Sequence, residues 1–346
     1  MAGMASAGRA EPGDAHHHGG TGQYTVTRAT TADIEAQAAS LRAWDQVYEQ
    51  MTPGEFVGSL HELSFAGVQV FREATSQAVH ECGSPRNGSR AFGAPVRMEG
   101  AARFRGEPAD AGALITLGGN DELDFYAPRG FEILALVVDE GALGEHARQV
   151  EHRDPATTFE GRSVFRPASE RLNRFRHLLG SVLQSVDVNP AALEFGPSQR
   201  VLEQTLLTAA LDVVSEDDAP AAPSACPSRR HLVDAAQAYM RAHIAEPITV
   251  ADLCRELGVS RRTLQYGFHE VLGTNPVQFL RAMRLNGVRR DLRSGGRPPG
   301  SVQDAAARWG FWHLGHFVTD YKRMFGELPS ETLRRGGPAG FARGRN

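Results

Sequence analysis

Residues 249–271 read Thr-Val-Ala-Asp-Leu-Cys-Arg-Glu-Leu-Gly-Val-Ser-Arg-Arg-Thr-Leu-Gln-Tyr-Gly-Phe-His-Glu-Val. Val250, Leu253 and Leu257 recur at helical spacing and give one short helix an apolar face. Gly258 supplies the permissive backbone of a corner, and Ser260 is a good N-cap for a second helix. Leu264, Phe268 and Val271 form the buried face of that second helix. Arg261, Arg262, Gln265, Tyr266 and His269 are left on its other face. Two short helices joined through a Gly corner have the helix-turn-helix layout, in which the second helix is the one that enters a DNA major groove.

The layout recurs. Val302, Ala305 and Ala306 begin another short helix that ends Arg308-Trp309-Gly310-Phe311. Phe317, Tyr321 and Phe325 then step by four. Between the copies, Pro276 opens a helix carrying Phe279, Leu280, Met283, Leu285, Val288 and Leu292, proline being well placed at a helix start. A plain αα-hairpin would account for one copy, but two copies with corner glycines 258 and 310 favour a paired DNA reader.

Residues 229–335 resemble the DNA-binding domain of the AraC/XylS family of bacterial transcription regulators. The resemblance rests on Leu-Gly-Val-Ser-Arg-Arg-Thr-Leu-Gln at 257–265, Gly-Phe-Trp-His-Leu-Gly-His-Phe at 310–317 and Tyr-Lys-Arg-Met-Phe-Gly-Glu-Leu-Pro at 321–329. A looser resemblance links the N-terminal half to the sensor of the ethanolamine-operon regulator branch. It rests on Trp44-Asp45-Gln46-Val47-Tyr48, Pro53-Gly54-Glu55-Phe56, Phe71-Arg72-Glu73 and Gly119-Asn120-Asp121-Glu122-Leu123-Asp124-Phe125.

The charge distribution agrees with a division of labour. The net charge of −4 divides into +9 over residues 229–346 and −13 over residues 1–228. Surplus positive charge attracts phosphate irrespective of base sequence, so it predicts salt-sensitive binding and not specificity. Nearly every basic residue is Arg; Lys322 is the only lysine. Cys82, Cys226 and Cys254 are too few and too scattered for a disulfide framework or a Cys-x-x-Cys metal pair. No apolar run is long enough to cross a membrane, and the N-terminus lacks the pattern of a secretion signal, so a cytoplasmic location is expected.

Along the chain, residues 1–22 read as a solvated tail, in which His16-His17-His18 is more simply tail than metal ligand. Residues 23–160 read as a β-rich effector-sensing domain. A helix is expected over 31–50 from Ile34, Leu41, Trp44 and Val47. Strands are expected from Phe56 to Phe71, parted at Ala66-Gly67, and over 77–82, 90–97, 101–105, 113–117, 123–126 and 131–138. Many short strands with frequent turns indicate a closed or double-layered β structure; that it is a cupin-like barrel holding a small effector is what the resemblance implies. Residues 161–214 read as a helical linker. Leu172, Phe175, Leu179, Val182 and Val186 make a stripe there that serves either its own core or a homodimer through 168–214. Residues 215–228 form a flexible linker, 229–336 the double helix-turn-helix domain, and 337–346 a second tail. The fold class is therefore α+β.

Matching Leu264 and Phe268 to the family pattern places Arg262, Gln265 and Tyr266 at base edges. Arg suits O6 and N7 of guanine, and Gln suits N6 and N7 of adenine. Ser260, Arg261 and His269 are assigned to phosphates. In the second copy the corresponding face is Leu314, Gly315, Val318 and Thr319, where the family more often has Ser, Gln or Arg; Leu314 and Val318 can meet thymine methyls. His316, Lys322 and Arg323 are assigned to phosphates there. The first motif is thus expected to supply most of the specificity and the second mainly affinity. Arg284, Arg289 and Arg290 on the bridging helix are either phosphate contacts or ordinary surface.

In the sensor half, His61, Arg72, His80, Asp124 and Tyr126 are candidates for effector contact, although a one-residue slip in register would turn each away. His80-Glu81-Cys82 lacks the second His and the later Glu and His of the cupin metal enzymes, so no metal, cofactor or catalytic residue is assigned. The expected partners are double-stranded DNA, a small effector and RNA polymerase, with no membrane. The chain reads as a non-enzymatic, ligand-responsive regulator, most simply an activator. Two alternatives stay open: a cupin-type metal enzyme fused to a DNA-binding domain, and a regulator controlled by a protein partner.

Overall fold

In a computed structural model the described residues are 16–17, 24–149, 159, 162–215, 227–244, 246, 248–293, 301–311 and 314–336. Strict alternation of side chains along the N-terminal strands builds two sheets back to back. The strands are β1 (His16–His17), β2 (Tyr24–Thr31), β3 (Trp44–Gln50), β4 (Gly58–Phe65), β5 (Val68–Thr75), β6 (Val79–Pro85), β7 (Ser89–Glu99), β8 (Ala102–Phe104), β9 (Glu107–Ala109), β10 (Leu114–Gly118), β11 (Leu123–Ala127), β12 (Arg129–Asp139) and β13 (Val164–Phe165). One sheet runs β1-β2-β4-β5-β12-β7-β10-β13, and the other β3-β6-β11-β8-β9. β1 pairs with β2 through His16↔Val26, so two residues of the expected tail are placed as a strand. The other residues assigned to the two tails, and residues 216–226 of the expected linker, lie outside the described residues.

The two faces of the first sheet have different partners. Ile133, Ala135 and Val137 face inward with Phe71, Ile115 and the second sheet's Phe104 and Phe125. Leu134, Leu136 and Val138 face the opposite way. They pack on α3 (Ser169–Val188) and α4 (Gly196–Val214), which come after α1 (Ile34–Ser40) and α2 (Glu140–Gln149) in the chain. All five residues of the 172–186 stripe are buried in this layer. The stripe is therefore part of the N-terminal domain's own core, and its five side chains are not exposed.

The helix expected over 31–50 is corrected. α1 ends at Ser40, and Trp44–Gln50 is a strand pairing with β6 from Trp44↔Pro85 to Gln50↔Val79. Trp44, Gln46 and Tyr48 all point to one side at period two, which the widely spaced apolar residues had disguised as a helical stripe. The other expected strands and the helices of 168–214 are present within a few residues of their expected bounds.

The C-terminal helices are α5 (Pro227–Ala242), α6 (Val250–Glu256), α7 (Arg261–Leu272), α8 (Pro276–Arg293), α9 (Val302–Arg308), α10 (Leu314–Phe325) and α11 (Pro329–Gly336). Leu253, Leu264, Phe268 and Phe279 centre one cluster, and Ala305, Ala306, Phe317 and Tyr321 the other. α8 supplies residues to both and so fixes one motif relative to the other. The copies even start alike. Thr249 accepts a bond from Asp252 N, and Ser301 accepts one from Asp304 N at 3.1 Å. Each corner glycine has a positive φ, 63° at Gly258 and 78° at Gly310, a conformation that other residues rarely adopt.

Candidate functional site: a DNA-reading face and a cavity behind it

In the first motif Ser260 Oγ caps α7 by accepting from Thr263 N at 3.1 Å. Leu264 and Phe268 are buried, while Arg261, Arg262, Gln265, Tyr266 and His269 are exposed. The Arg262 guanidinium lies 5.5 Å from the Tyr266 ring, so one base-edge candidate braces the other through a cation–π contact. The second motif presents Leu314, Gly315, His316 and Thr319 outward, with Val318 half-buried. Thr319 Oγ1 donates to Gly315 O at 3.0 Å, and Lys322 and Arg323 are exposed at the end of α10. Trp312 and His313, within the quoted motif, lie outside the described residues.

Four of the bridging-helix arginines are held by protein partners. Arg284 donates to Glu246 O at 2.8 Å and Ile248 O at 3.0 Å, tying the first motif's entry to α8. Arg289 is buried between Asp33 at 3.1 Å and Glu327 at 3.2 Å. Arg290 lies 3.6 Å from Glu49, and Arg293 pairs with Asp33. Three of the guanidiniums on α8 are thus turned towards the N-terminal domain. Arg284, Arg289 and Arg290, read from the sequence as phosphate contacts or ordinary surface, are here engaged by protein partners.

The same seam continues along the edge strand β3. Asn286 Oδ1 accepts from Gln50 N at 3.0 Å, and its Nδ2 donates to Gln50 O at 3.0 Å. One side-chain amide thereby pairs both backbone groups of Gln50 at the end of this edge strand, where they would be costly if buried unpaired. Gly54 N donates to Arg323 O and Met324 O, both at 3.1 Å, so the N-terminal domain also touches the end of α10.

Between the two sheets lies a cavity of about 60 Å³, walled by Trp44, Tyr48, Phe71, Phe104 and Phe125 with Glu73 and Glu81. Glu73 accepts from Gln37 Nε2 at 2.8 Å and from Tyr48 OH at 3.1 Å. Glu81, opposite Tyr48 across β3 and β6, is 8% exposed and has no hydrogen-bond or ion-pair partner among the described residues. Burial pushes the Glu73 carboxyl up to about 7 against the lowering bonds from Gln37 and Tyr48. Burial, and then the neighbouring Glu73, raise Glu81 well above the ordinary range. Burial and Glu73 likewise raise the Tyr48 phenol.

None of the five effector candidates read from the sequence lines this cavity. His61 faces Asp187 at 3.0 Å. Arg72 donates to Glu132 at 2.6 Å. His80 and Asp124 bond each other on the outer face of the second sheet, His80 Nε2 to Asp124 Oδ1 at 2.6 Å, and Tyr126 pairs with His80 across the strands on that face. The cavity takes the alternate residues: Phe71 and Glu73 beside Arg72, Glu81 beside His80, Leu123 and Phe125 beside Asp124. A carboxylate two residues from an aromatic in a strand, as in Phe71-Arg72-Glu73, was the available signal, and it could be read only once the register was known.

Two successive helix-turn-helix units on a shared helix, each with an exposed second-helix face, define a double DNA-reading domain. Residues 253–335 match a family model described as a helix-turn-helix domain. The chain is 43% identical over 108 residues to the "Probable thc operon regulatory protein" of Rhodococcus erythropolis, covering 31% of this chain and 32% of that one. It is 33% identical over 110 residues to "XylDLEGF operon transcriptional activator 3" of Pseudomonas putida, covering 32% of each. A solved structure, that of "a probable AraC family transcriptional regulator" from Rhodopseudomonas palustris CGA009, is 38% identical, with 31% of this chain and 99% of that chain covered and a TM-score of 0.30. The chain thus spans about a third of the length of these curated relatives. Its C-terminal domain is a DNA-binding domain of the AraC/XylS family.

Proposed function

We propose that the chain is a transcriptional regulator, an activator, that reads DNA through both motifs and senses a small molecule in the cavity between the sheets. The observation that carries the first part is the pair of second-helix faces, Arg262, Gln265 and Tyr266 exposed on one and Leu314, Gly315 and Thr319 exposed beside half-buried Val318 on the other, on a domain of this family. Phosphates would be met by Ser260, Arg261 and His269 in one motif and by His316, Lys322 and Arg323 in the other. The first face carries the bidentate chemistry and so most of the specificity; the second is mostly apolar and small, and contributes affinity.

The sensing part rests on Glu81. A buried carboxyl without a partner is costly, and the cavity supplies aromatic walls around it. A small molecule with a cationic or N–H-rich end would be bonded by Glu81 and Glu73 and faced by aromatic rings, a surrounding that favours cations. About 60 Å³ suits only a few non-hydrogen atoms, so a larger effector would have to open the sheets. Tyr48 and Glu81 face the cavity from the same two strands whose other face carries Glu49, His80 and Cys82 towards the DNA-binding domain, which gives a ligand a short route to α8. RNA polymerase and a second copy complete the proposed partners. Phe195 and Val201, exposed beside α3 and α4, support self-association on the outer side of that layer.

The test is selection of bound sequences from random DNA with the full chain at two salt concentrations. Two half-sites about one helical turn apart are expected. Enrichment of no sequence, with binding that simply fades as salt rises, would leave only charge and sink the regulator reading.

A further inference from the structure

The outer face of the second sheet holds a cluster that neither DNA reading nor the cavity uses. β6 and β11 pair with Asp124 opposite Cys82 and Tyr126 opposite His80, so His80, Cys82 and Asp124 emerge on one side. Their donor atoms all lie within 4.8 Å of one another. His80 Nε2 is 2.6 Å from Asp124 Oδ1 and 3.6 Å from Cys82 Sγ. Glu49 Oε2 is 3.8 Å from the other ring nitrogen, Nδ1, which lies 3.8 Å from Cys82 Sγ as well. The imidazole is fully buried, and its Phe279 neighbour on α8 is 5.4 Å away, centroid to centroid. The side chain of Asp124 is 24% exposed, which leaves the cluster open on that side.

We propose that His80, Cys82 and Asp124 bind a borderline divalent metal ion such as Zn²⁺ at the seam between the sensor and the DNA-binding domain. A nitrogen, a sulfur and a carboxylate oxygen are the donors Zn²⁺ takes. For tetrahedral Zn²⁺, bond lengths of ~2.3 Å to sulfur and ~2.0 Å to nitrogen put those two donors about 3.5 Å apart, close to the 3.6 Å found. Asp124 would have to withdraw by about 0.7 Å to reach the corresponding nitrogen–oxygen separation, exchanging its bond to His80 for one to the metal. Glu49 stands where a carboxylate orients a ligating imidazole from its far nitrogen, an arrangement common behind zinc-bound histidines. Three protein donors leave a fourth position open.

A competing cation occupies the approach. Arg241, on α5 of the DNA-binding domain, donates from Nη2 to Cys82 Sγ at 3.0 Å. A dication arriving at that sulfur meets a positive charge already in place, so metal entry competes with this contact between α5 and the sensor. This site is on the opposite face of the sheet from the cavity, and it stands or falls independently of the proposed effector.

The experiment is titration of chelator-treated, reduced full-length chain with Co²⁺. The sulfur-to-cobalt charge-transfer absorption separates this site from the His16-His17-His18 run, which has no sulfur. One Co²⁺ per chain with that absorption is expected, displaceable by Zn²⁺ and retained when the three tail histidines are changed to Ala. Cys82→Ser should abolish the band, with Cys82→Ala as a second variant if the first fails to unfold cooperatively. Asp124→Asn should weaken binding at least about tenfold, and Arg241→Ala should tighten it. Absence of the band in the unmodified chain, or its survival in both Cys82 variants through Cys226 or Cys254, would overturn the proposal.

Discussion

At the scale of single residues, exposure and chemistry separate the roles within α7. Arg262 and Gln265 carry planar groups able to make two bonds to one base, whereas His269 lies a turn further along the helix. Arg262→Ala should cost ~1–3 kcal/mol of discrimination at one base position, read from competition between the selected site and its single-base variants. His269→Ala should weaken binding to every sequence alike and lower the salt dependence. The cavity carboxyls make a separate residue-scale prediction. With Glu73 raised from 4.5 to about 7, the folded chain holds a proton that the unfolded chain has released. Stability is then present below the unfolded value and falls as pH rises through about 7. Glu73→Gln should flatten the loss of melting temperature across that window, and a steeper loss in the variant would count against the assignment. A cationic ligand prefers the ionised carboxyl, so its affinity should rise over the same window.

At the scale of elements, legibility in the sequence depended on how far each pattern relies on distant pairing. The two helix-turn-helix units are local: a cap, a glycine corner and apolar spacing within a few turns. They are present where the sequence places them. The N-terminal strands were legible as strands for the same reason, but which side of each faced the cavity was not. Arg72 and Glu73 are equally good candidates until β5 is paired with β4 and β12. Trp44 and Val47 mimicked a helix because an i, i+3 pair fits one as well as a short strand. The 172–186 stripe was legible as a stripe but not as to its partner. Gly287 shows a similar dependence on distant packing. A glycine inside a helix ordinarily costs ~0.5–1 kcal/mol relative to Ala. Here a Cβ at 287 would come within 2.3–2.5 Å of the Trp309 ring, which Asp291 holds through its indole N–H at 2.9 Å. Gly287→Ala should therefore destabilise the chain, by ~1–3 kcal/mol as overpacking usually does, in contrast to the gain expected at an open helical position. Denaturant unfolding measures the sign directly.

At the scale of the whole molecule, layers are stacked in a definite order: helices α3 and α4, the first sheet, the cavity, the second sheet and then the DNA-binding domain. The second sheet is thus shared, with Tyr48 and Glu81 on its inner side and Glu49, His80 and Cys82 on its outer side. The charge split falls across this seam as well. Part of the C-terminal surplus of arginine is consumed there: Arg289 and Arg293 meet Asp33, and Arg290 meets Glu49. Counterion release counts only cations that reach phosphate, with the logarithm of affinity falling by ~0.9 per contact for each tenfold rise in salt. The formal charge of the domain therefore overstates its pull on DNA. Arg261→Ala should lower the salt slope by about one, whereas Arg290→Ala and Arg293→Ala should leave it unchanged while loosening the seam. If the two seam variants lowered the slope as much as Arg261→Ala does, those arginines would be turning to phosphate in the complex. The N-terminal domain would then have to release α8 before DNA is bound, and docking of the two halves would compete with the DNA.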